Sequence, residues 1–150
     1  MPYEIRRAVV DDLDALLALA AAYCASDGHD FDETTVRSGF TPLLVGDQHG
    51  AVWVADAGTE LAGYAVVTWN WSIEIGGPEA VLDEVYVADQ GRGTGTALVR
   101  GAEQDCLAHG MRRIFLGTER PNDAARRLYT RLGYTADDSI WMSKLLPQAE

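Results

Sequence analysis

Residues 82–98 read Leu82-Asp83-Glu84-Val85-Tyr86-Val87-Ala88-Asp89-Gln90-Gly91-Arg92-Gly93-Thr94-Gly95-Thr96-Ala97-Leu98, and no other stretch restricts the fold as much. The β-rich run through Val87 has to end at the glycines. The helical spacing of Leu98, Val99, Ala102, Cys106 and Leu107 begins directly after them. A strand that feeds a helix through a glycine-rich turn is an α/β connection. Small residues let the backbone curl close to a ligand, and the first N–H groups of the helix, which have no partner within it, point into the curl. Such a curl binds phosphate through aligned donors and the positive end of the helix dipole. Alone, the same turn is equally well a plain tight connection, so its meaning depends on the rest of the chain.

That rest reads as one domain over residues 1–150, without repeats, low-complexity tracts or linkers. Tyr3 to Val10 is a short β-run, and Asp11-Asp12 is placed to cap a helix carrying Leu13, Leu16, Leu17, Ala20 and Cys24, ended by Gly28. Asp32 is placed to cap a second helix through about Leu44. Gly50 to Ala57 and Leu61 to about Ile75 flank Asp56-Ala57-Gly58-Thr59, a hairpin signal, and Ala80 to Val87 is a third β-run. After the glycine-rich turn and its helix, Gly110 is a C-cap, Arg113 to Gly117 is a short strand, and Asn122 or Asp123 caps a last helix stopped by Gly133. Tyr134 to Ala136 and Ile140 to Leu145 are expected to close the chain as a hairpin. The expected class is α/β with a mixed sheet.

Composition narrows the partners. The net charge is −11, with 16 Asp or Glu against 3 Arg in residues 1–90 and 8 Arg and 1 Lys against 7 acidic residues in 91–150. A nucleic-acid binder needs a basic face, which this balance argues against. Solvated surface charge accounts for the asymmetry, and so does a first half that meets a cation and a second half that meets an anion. No apolar run reaches membrane-spanning length, and the N-terminus has no signal-peptide pattern. Cys24 and Cys106 belong to no paired motif, which suits reduced thiols and a cytoplasmic protein. His29, His49 and His109 lie far apart, so no metal site is expected.

Gln90-Gly91-Arg92-Gly93-Thr94-Gly95 resembles the acyl-CoA signature of the GNAT acetyltransferases, Gln/Arg-x-x-Gly-x-Gly/Ala, and Leu82 to Val87 resembles the strand that leads into it. Downstream, Asn122, Ala125, Leu128-Tyr129, Leu132-Gly133 and Tyr134 resemble the family's second motif, Asn-x-x-Ala-x-x-Leu-Tyr-x-x-Leu-Gly-Phe/Tyr. The two motifs stand at the family's usual separation, and the order of elements matches over most of residues 3–146. The departure is a short interval from Val87 to Gln90. Counting from Arg92 restores the usual spacing, but the apolar positions of the following helix favour the Gln90 register.

The resemblance implies a GNAT fold: a mostly antiparallel mixed sheet of six to seven strands with flanking helices, whose fourth and fifth strands splay into a cleft. It implies acetyl-CoA as acyl donor. The backbone of Val85, Tyr86 and Val87 would line its pantetheine arm. The turn Gln90, Gly91, Arg92, Gly93, Thr94, Gly95 and Thr96 would hold the pyrophosphate. From the last helix Asn122 would bond the pantetheine arm, with Ala125 and Tyr129 also meeting the cofactor. In the implied reaction a neutral amine attacks the thioester and coenzyme A leaves as a thiolate. An alkyl amine has a pKa near 10.4 and a thiol one near 8.5, so a base and an acid are wanted. Tyr129 matches the family's general acid. Asp83 and Glu84 are adjacent, so on a regular strand they face opposite sides and only one enters the cleft. The resemblance implies that Asp83 lines the acceptor site and that Glu84 has the longer reach, and a bulge in this strand would exchange them. Glu119 is a third candidate. Each carboxylate equally admits a structural role, with deprotonation through a water chain.

The acceptor site is expected in the first half, from the acidic stretch at Asp27, Asp30, Asp32 and Glu33 with Trp69, Trp71 and Glu74. Carboxylates and aromatic rings suit a cationic amine, although two alternate tryptophans also pack a sheet face or a dimer surface. The reading tilts towards an N-acetyltransferase of a small amine or polyamine. The alternatives are an acetyltransferase of protein N-termini or lysines, or a non-catalytic acyl-CoA-binding module. A homodimer is compatible with the tryptophans and the closing hairpin.

Overall fold

The computed structural model describes residues 3–118 and 122–149. They divide into two compact units, Met1–Gly117 and Thr118–Glu150.

In the first unit, β1 (Glu4–Arg7) leads through a 3-10 turn (Val10–Asp12) into α1 (Leu13–Ser26), then α2 (Glu33–Val45), β2 (Gly50–Asp56), β3 (Leu61–Ser72), β4 (Gly77–Val87), α3 (Thr94–Ala108) and β5 (Ile114–Phe115). The sheet order is β1-β2-β3-β4-β5, antiparallel throughout except for the parallel pairing of β4 with β5. Five strands replace the six or seven expected, because residues 134–149 form no strand among those described.

Alternation along β2 and β3 sorts the two faces. Val52, Val54, Tyr64 and Val66 pack with Leu16, Leu17 and Ala20 of α1 and Phe40 and Leu43 of α2. Leu98, Val99, Ala102 and Cys106 of α3 are buried on the opposite face. There α3 comes so close that a Cβ on Gly101 would lie 3.0 Å from Ile5 Cγ2 and 3.2 Å from the Trp53 ring. The helix boundaries follow the sequence signals. Asp32 caps α2 by accepting from the N–H groups of Thr34 and Thr35. The hairpin at 56–60 closes on Ala57 N–H to the Glu60 carbonyl, with Gly58 at φ +89.

The start of α1 holds an ion pair rather than a simple cap. Arg6 donates to both Asp12 carboxylate oxygens at 2.8 and 2.9 Å, and Asp12 also accepts from Val9 N–H at 2.7 Å. The Arg6 hydrogen bond, aided by the Val9 N–H and opposed by desolvation, holds the Asp12 carboxyl below its ordinary range. A carboxylate depressed in the folded state stabilises the protein above its unfolded pKa of about 3.9, and that contribution is lost as pH falls through the folded value. Asp12→Asn is therefore expected to cost about 2–3 kcal/mol in urea unfolding at pH 7, with the difference from wild type shrinking below about pH 4. A cost unchanged at low pH would assign Asp12 a role other than the ion pair.

In the second unit α4 (Asp123–Arg131) is capped by Asn122, whose Oδ1 accepts from Ala125 N–H at 3.1 Å. The chain reverses after it, with Tyr134 N–H on the Tyr129 carbonyl. Among the described residues the expected hairpin does not form: Ile140, Trp141, Met142 and Leu145 are exposed, and Ser139 N–H bonds to Asp137 Oδ1 in a local turn. A short hairpin without a covered apolar face is marginal on its own.

Candidate functional site

β4 shares its two edges unequally. Towards β3 it pairs from Gly77 to Val87, whereas towards β5 it pairs only at Ala80 and Val81. Beyond Val81, no strand among the described residues covers that edge. Ala88 N–H bonds back to the Ala62 carbonyl, so by alternation the backbone groups of Tyr86 also face β3. Those of Val85 and Val87 therefore face the open edge. An edge of this kind is a template for an extended, amide-bearing ligand.

The open edge runs directly into the glycine-rich turn. Gly91 and Gly93 stand at φ +87 and +78, a region that L side chains avoid, and a Cβ on either would project into open space. Gly93 is the N-cap of α3, so the helix's leading N–H groups come from Thr94, Gly95 and Thr96, with Thr94 buried. This start favours neither register outright: the helix opens two residues after Arg92, inside both versions of the signature. Arg92 itself forms an exposed ion pair with Asp89 at 2.8 Å, and Gln90 is exposed. The donor set is chemically suited to a pyrophosphate followed by an amide-containing arm, the anionic and extended parts of a coenzyme A ester.

The carboxylates are arranged by a bulge. Leu82 stands opposite Val67 but Glu84 opposite Val66, so Asp83 is an extra residue in β4. On a regular strand Glu84 would follow Leu82 to the α3 face. The bulge turns it instead to the face shared with Val66 and α1. There Glu84 is half-buried and its Oε1 accepts from the Tyr64 hydroxyl at 2.7 Å, while Asp83 is exposed. Burial raises the Glu84 pKa, the Tyr64 hydrogen bond opposes that, and the charge of Asp83 adds to it. Around this pair the rings of Tyr23, Phe40, Tyr64 and Tyr86 form a chain of contacts: Tyr23 to Tyr86 at 5.5 Å and Tyr64 to Tyr86 at 6.3 Å, both tilted, and Phe40 edge-on to Tyr64 at 5.6 Å between centroids. Tyr86, expected to meet the cofactor, thus spends its ring on this cluster.

Other expected residues lie elsewhere. Trp69 and Trp71 alternate onto the α3 face, away from Glu84. Trp69 donates to the Asp47 carbonyl at 2.8 Å and stacks on His109 at 5.0 Å, and Trp71 is 70% exposed. Glu74 pairs with Arg113, which also holds the buried Glu79. Asp27 pairs with His29, and Asp32 is engaged in its cap. Glu119 lies outside the described residues. In the second unit Asn122 has its carbonyl oxygen in the α4 cap, Ala125 is the donor to it, and Tyr129 packs edge-on against Tyr134 at 5.7 Å. Tyr64 was not legible as a site residue. A tyrosine on an apolar strand reads as core, and only the strand register reveals its carboxylate partner.

Comparison with known proteins bears on the family and the fold. The model of the Acetyltransferase (GNAT) family matches residues 14–134. A mycothiol acetyltransferase of Corynebacterium glutamicum (strain R) is 31% identical over 126 residues, covering 79% of this chain and 42% of that protein, so the chain spans less than half of its length. Among solved structures, an integron cassette protein from the mobile metagenome of Cole Harbour Salt Marsh has a TM-score of 0.84 at 25% identity, over 97% of this chain and 91% of the other. An aminoglycoside N-acetyltransferase in complex with CoA has a TM-score of 0.81 at 16% identity, over 95% and 94% of the two chains, a likeness of fold.

Proposed function

The chain belongs to the GNAT family of acetyltransferases, and from that premise we propose that it transfers an acetyl group from acetyl-CoA to a primary amine, with a small cationic amine or polyamine as acceptor. The observation that carries this is the continuity of the open β4 edge with the positive-φ turn at Gly91 and Gly93 and the start of α3. The family match runs across both compact units, which supports treating the chain as one domain.

Acetyl-CoA supplies the activated acetyl group as a thioester; the chain's own residues bind it and manage protons. Backbone groups of Val85 and Val87 pair with the pantetheine arm as an added strand would. N–H groups from Gly91 to Thr96 hold the pyrophosphate, and Arg92 adds positive charge once it leaves Asp89. By its match to the family's second motif, Asn122 is the proposed partner of the arm. The N–H of Val85 is aimed at the open edge, where it stabilises negative charge developing on the acyl oxygen. Glu84, whose burial keeps it a stronger base than an exposed carboxylate, takes the amine proton directly or through water. Tyr129 returns a proton to the departing sulfur. A carboxylate beside aromatic rings favours a cationic acceptor. The free thiols Cys24 and Cys106 fit a cytoplasmic setting.

The test is a calorimetric titration with acetyl-CoA, followed by thiol release against a panel of small amines, polyamines and amino-terminal peptides. Saturable binding with turnover of a small amine is the expected result. Turnover of peptides alone would move the acceptor to proteins, binding without turnover would make the chain a non-catalytic acyl-CoA module, and no binding would overturn the proposal.

A further inference from the structure

We propose that Tyr64, on β3, is the positioning residue for the proton acceptor Glu84: its hydroxyl donates to Glu84 Oε1 across the bulge and leaves the second carboxylate oxygen for the amine. The proposal rests on the reading of Glu84 as the base.

Three observations carry it. The first is register. Were β4 regularly paired through Leu82, Asp83 and Glu84, Glu84 would turn to the α3 face with Leu82 and the Tyr64 hydroxyl would lose this acceptor. The bulge and the hydrogen bond therefore define one arrangement. The second is rigidity. Tyr64 is fully buried, fixed edge-on by Phe40 and flanked by Tyr86, so the direction of its hydroxyl is set by core packing rather than by solvent. The third is the choice of partner. A buried phenol needs an acceptor, but a neutral carbonyl would satisfy it without the cost of half-burying a charge. The carboxylate exceeds what the phenol requires.

The chemistry of the donor also fits. Burial, with the facing carboxylate, raises the Tyr64 pKa far above its ordinary value, so the group stays a hydrogen-bond donor throughout the working pH range. An Arg or Lys in its place would anchor the carboxylate equally well, but its positive charge would strip Glu84 of basicity. A tyrosine orients the base and lowers its pKa only modestly. The other titratable groups around the pair are Asp83 and Tyr86 of β4 and Tyr23 and Cys24 of α1.

The experiment is the pH dependence of kcat/KM in wild type, Tyr64→Phe and Glu84→Gln, with circular dichroism and thermal unfolding on each. Wild type is expected to show an acid limb from Glu84 that Glu84→Gln abolishes. Tyr64→Phe is expected to keep that limb but move it up by about one pH unit, since a hydrogen bond to the charged form has been removed, with the high-pH plateau reduced only severalfold. An acid limb unmoved in a folded Tyr64→Phe, while Glu84→Gln still abolishes it, overturns the positioning role and leaves the base in place. A limb that survives Glu84→Gln overturns the base itself. Should Tyr64→Phe fail to fold, proton NMR of wild type decides: a slowly exchanging Tyr64 hydroxyl resonance that shifts as Glu84 titrates supports the proposal, and its absence overturns it.

Discussion

Glu84→Gln is expected to lower kcat/KM for amine acetylation at neutral pH by about 10²–10⁴-fold, the range that a positioned general base contributes, with the dissociation constant for acetyl-CoA changed by less than about twofold, less than the tenfold that corresponds to 1.4 kcal/mol. The size of the first effect follows from the substrate. An alkyl ammonium with a pKa near 10.4 presents only about one neutral molecule in 10³ at pH 7, and the proton has to leave on the way to the acyl-transfer transition state. Glu84 suits that work because burial raises its pKa towards the working range while the Tyr64 hydroxyl keeps the carboxylate ordered. The small second effect follows from placement. Glu84 faces the α1 side of the sheet, whereas the groups expected to hold the donor are backbone atoms on the open edge. Glutamine keeps the size and accepts from Tyr64, so the fold is retained. Steady-state rates across pH with calorimetry on the same preparations check both halves. Loss of activity in Asp83→Asn instead, with Glu84→Gln fully active, would transfer the role to the exposed neighbour.

Gly93→Val is expected to weaken acetyl-CoA binding by about 10²-fold, near 2.7 kcal/mol. Two costs add. Gly93 sits at φ +78, where a β-branched side chain is strained by about 1–2 kcal/mol. The variant relieves this by rotating the turn, which swings the leading N–H groups of α3 out of line. The new side chain also projects into open space at the helix N-terminus, where nothing of the protein lies within 4 Å and the pyrophosphate is proposed to sit. Conformational strain alone is separable from loss of the site. Gly110, at the other end of α3, has the same φ of +78 and equally open surroundings. Gly110→Val should therefore lose comparable thermal stability and bind acetyl-CoA as wild type does. Equal weakening in both variants, or in neither, would remove the pyrophosphate from the Gly91–Thr96 turn.

How much of this was present in the residues alone depends on the range of the interaction concerned. Helix starts and stops, the 56–60 hairpin and the strand-to-helix turn were legible because they arise from local chemistry: a carboxylate at an N-cap, a glycine at positive φ, apolar side chains every third or fourth position. The combination of Gln90 to Gly95 with Asn122 to Tyr134 was legible for the same reason, and it pointed to the family. The closing hairpin was misjudged because β-rich composition at 134–145 says nothing about whether a covered face exists to receive it.

The faces on which the expected acceptor residues lie were not legible, because sheet pairing acts between residues far apart in sequence. Trp69 and Trp71 read as pocket walls, yet alternation from β3 puts them on the face opposite Glu84, with Trp69 bound to Asp47 and His109. The sequence by itself determined the helices, the strands up to the last helix, the glycine-rich turn and the pair of candidate carboxylates at 83 and 84. Only the tertiary structure decided which carboxylate turns inward and what holds it, because a single extra residue in β4 inverts the face that side chains meet, and that residue is an insertion only relative to β3.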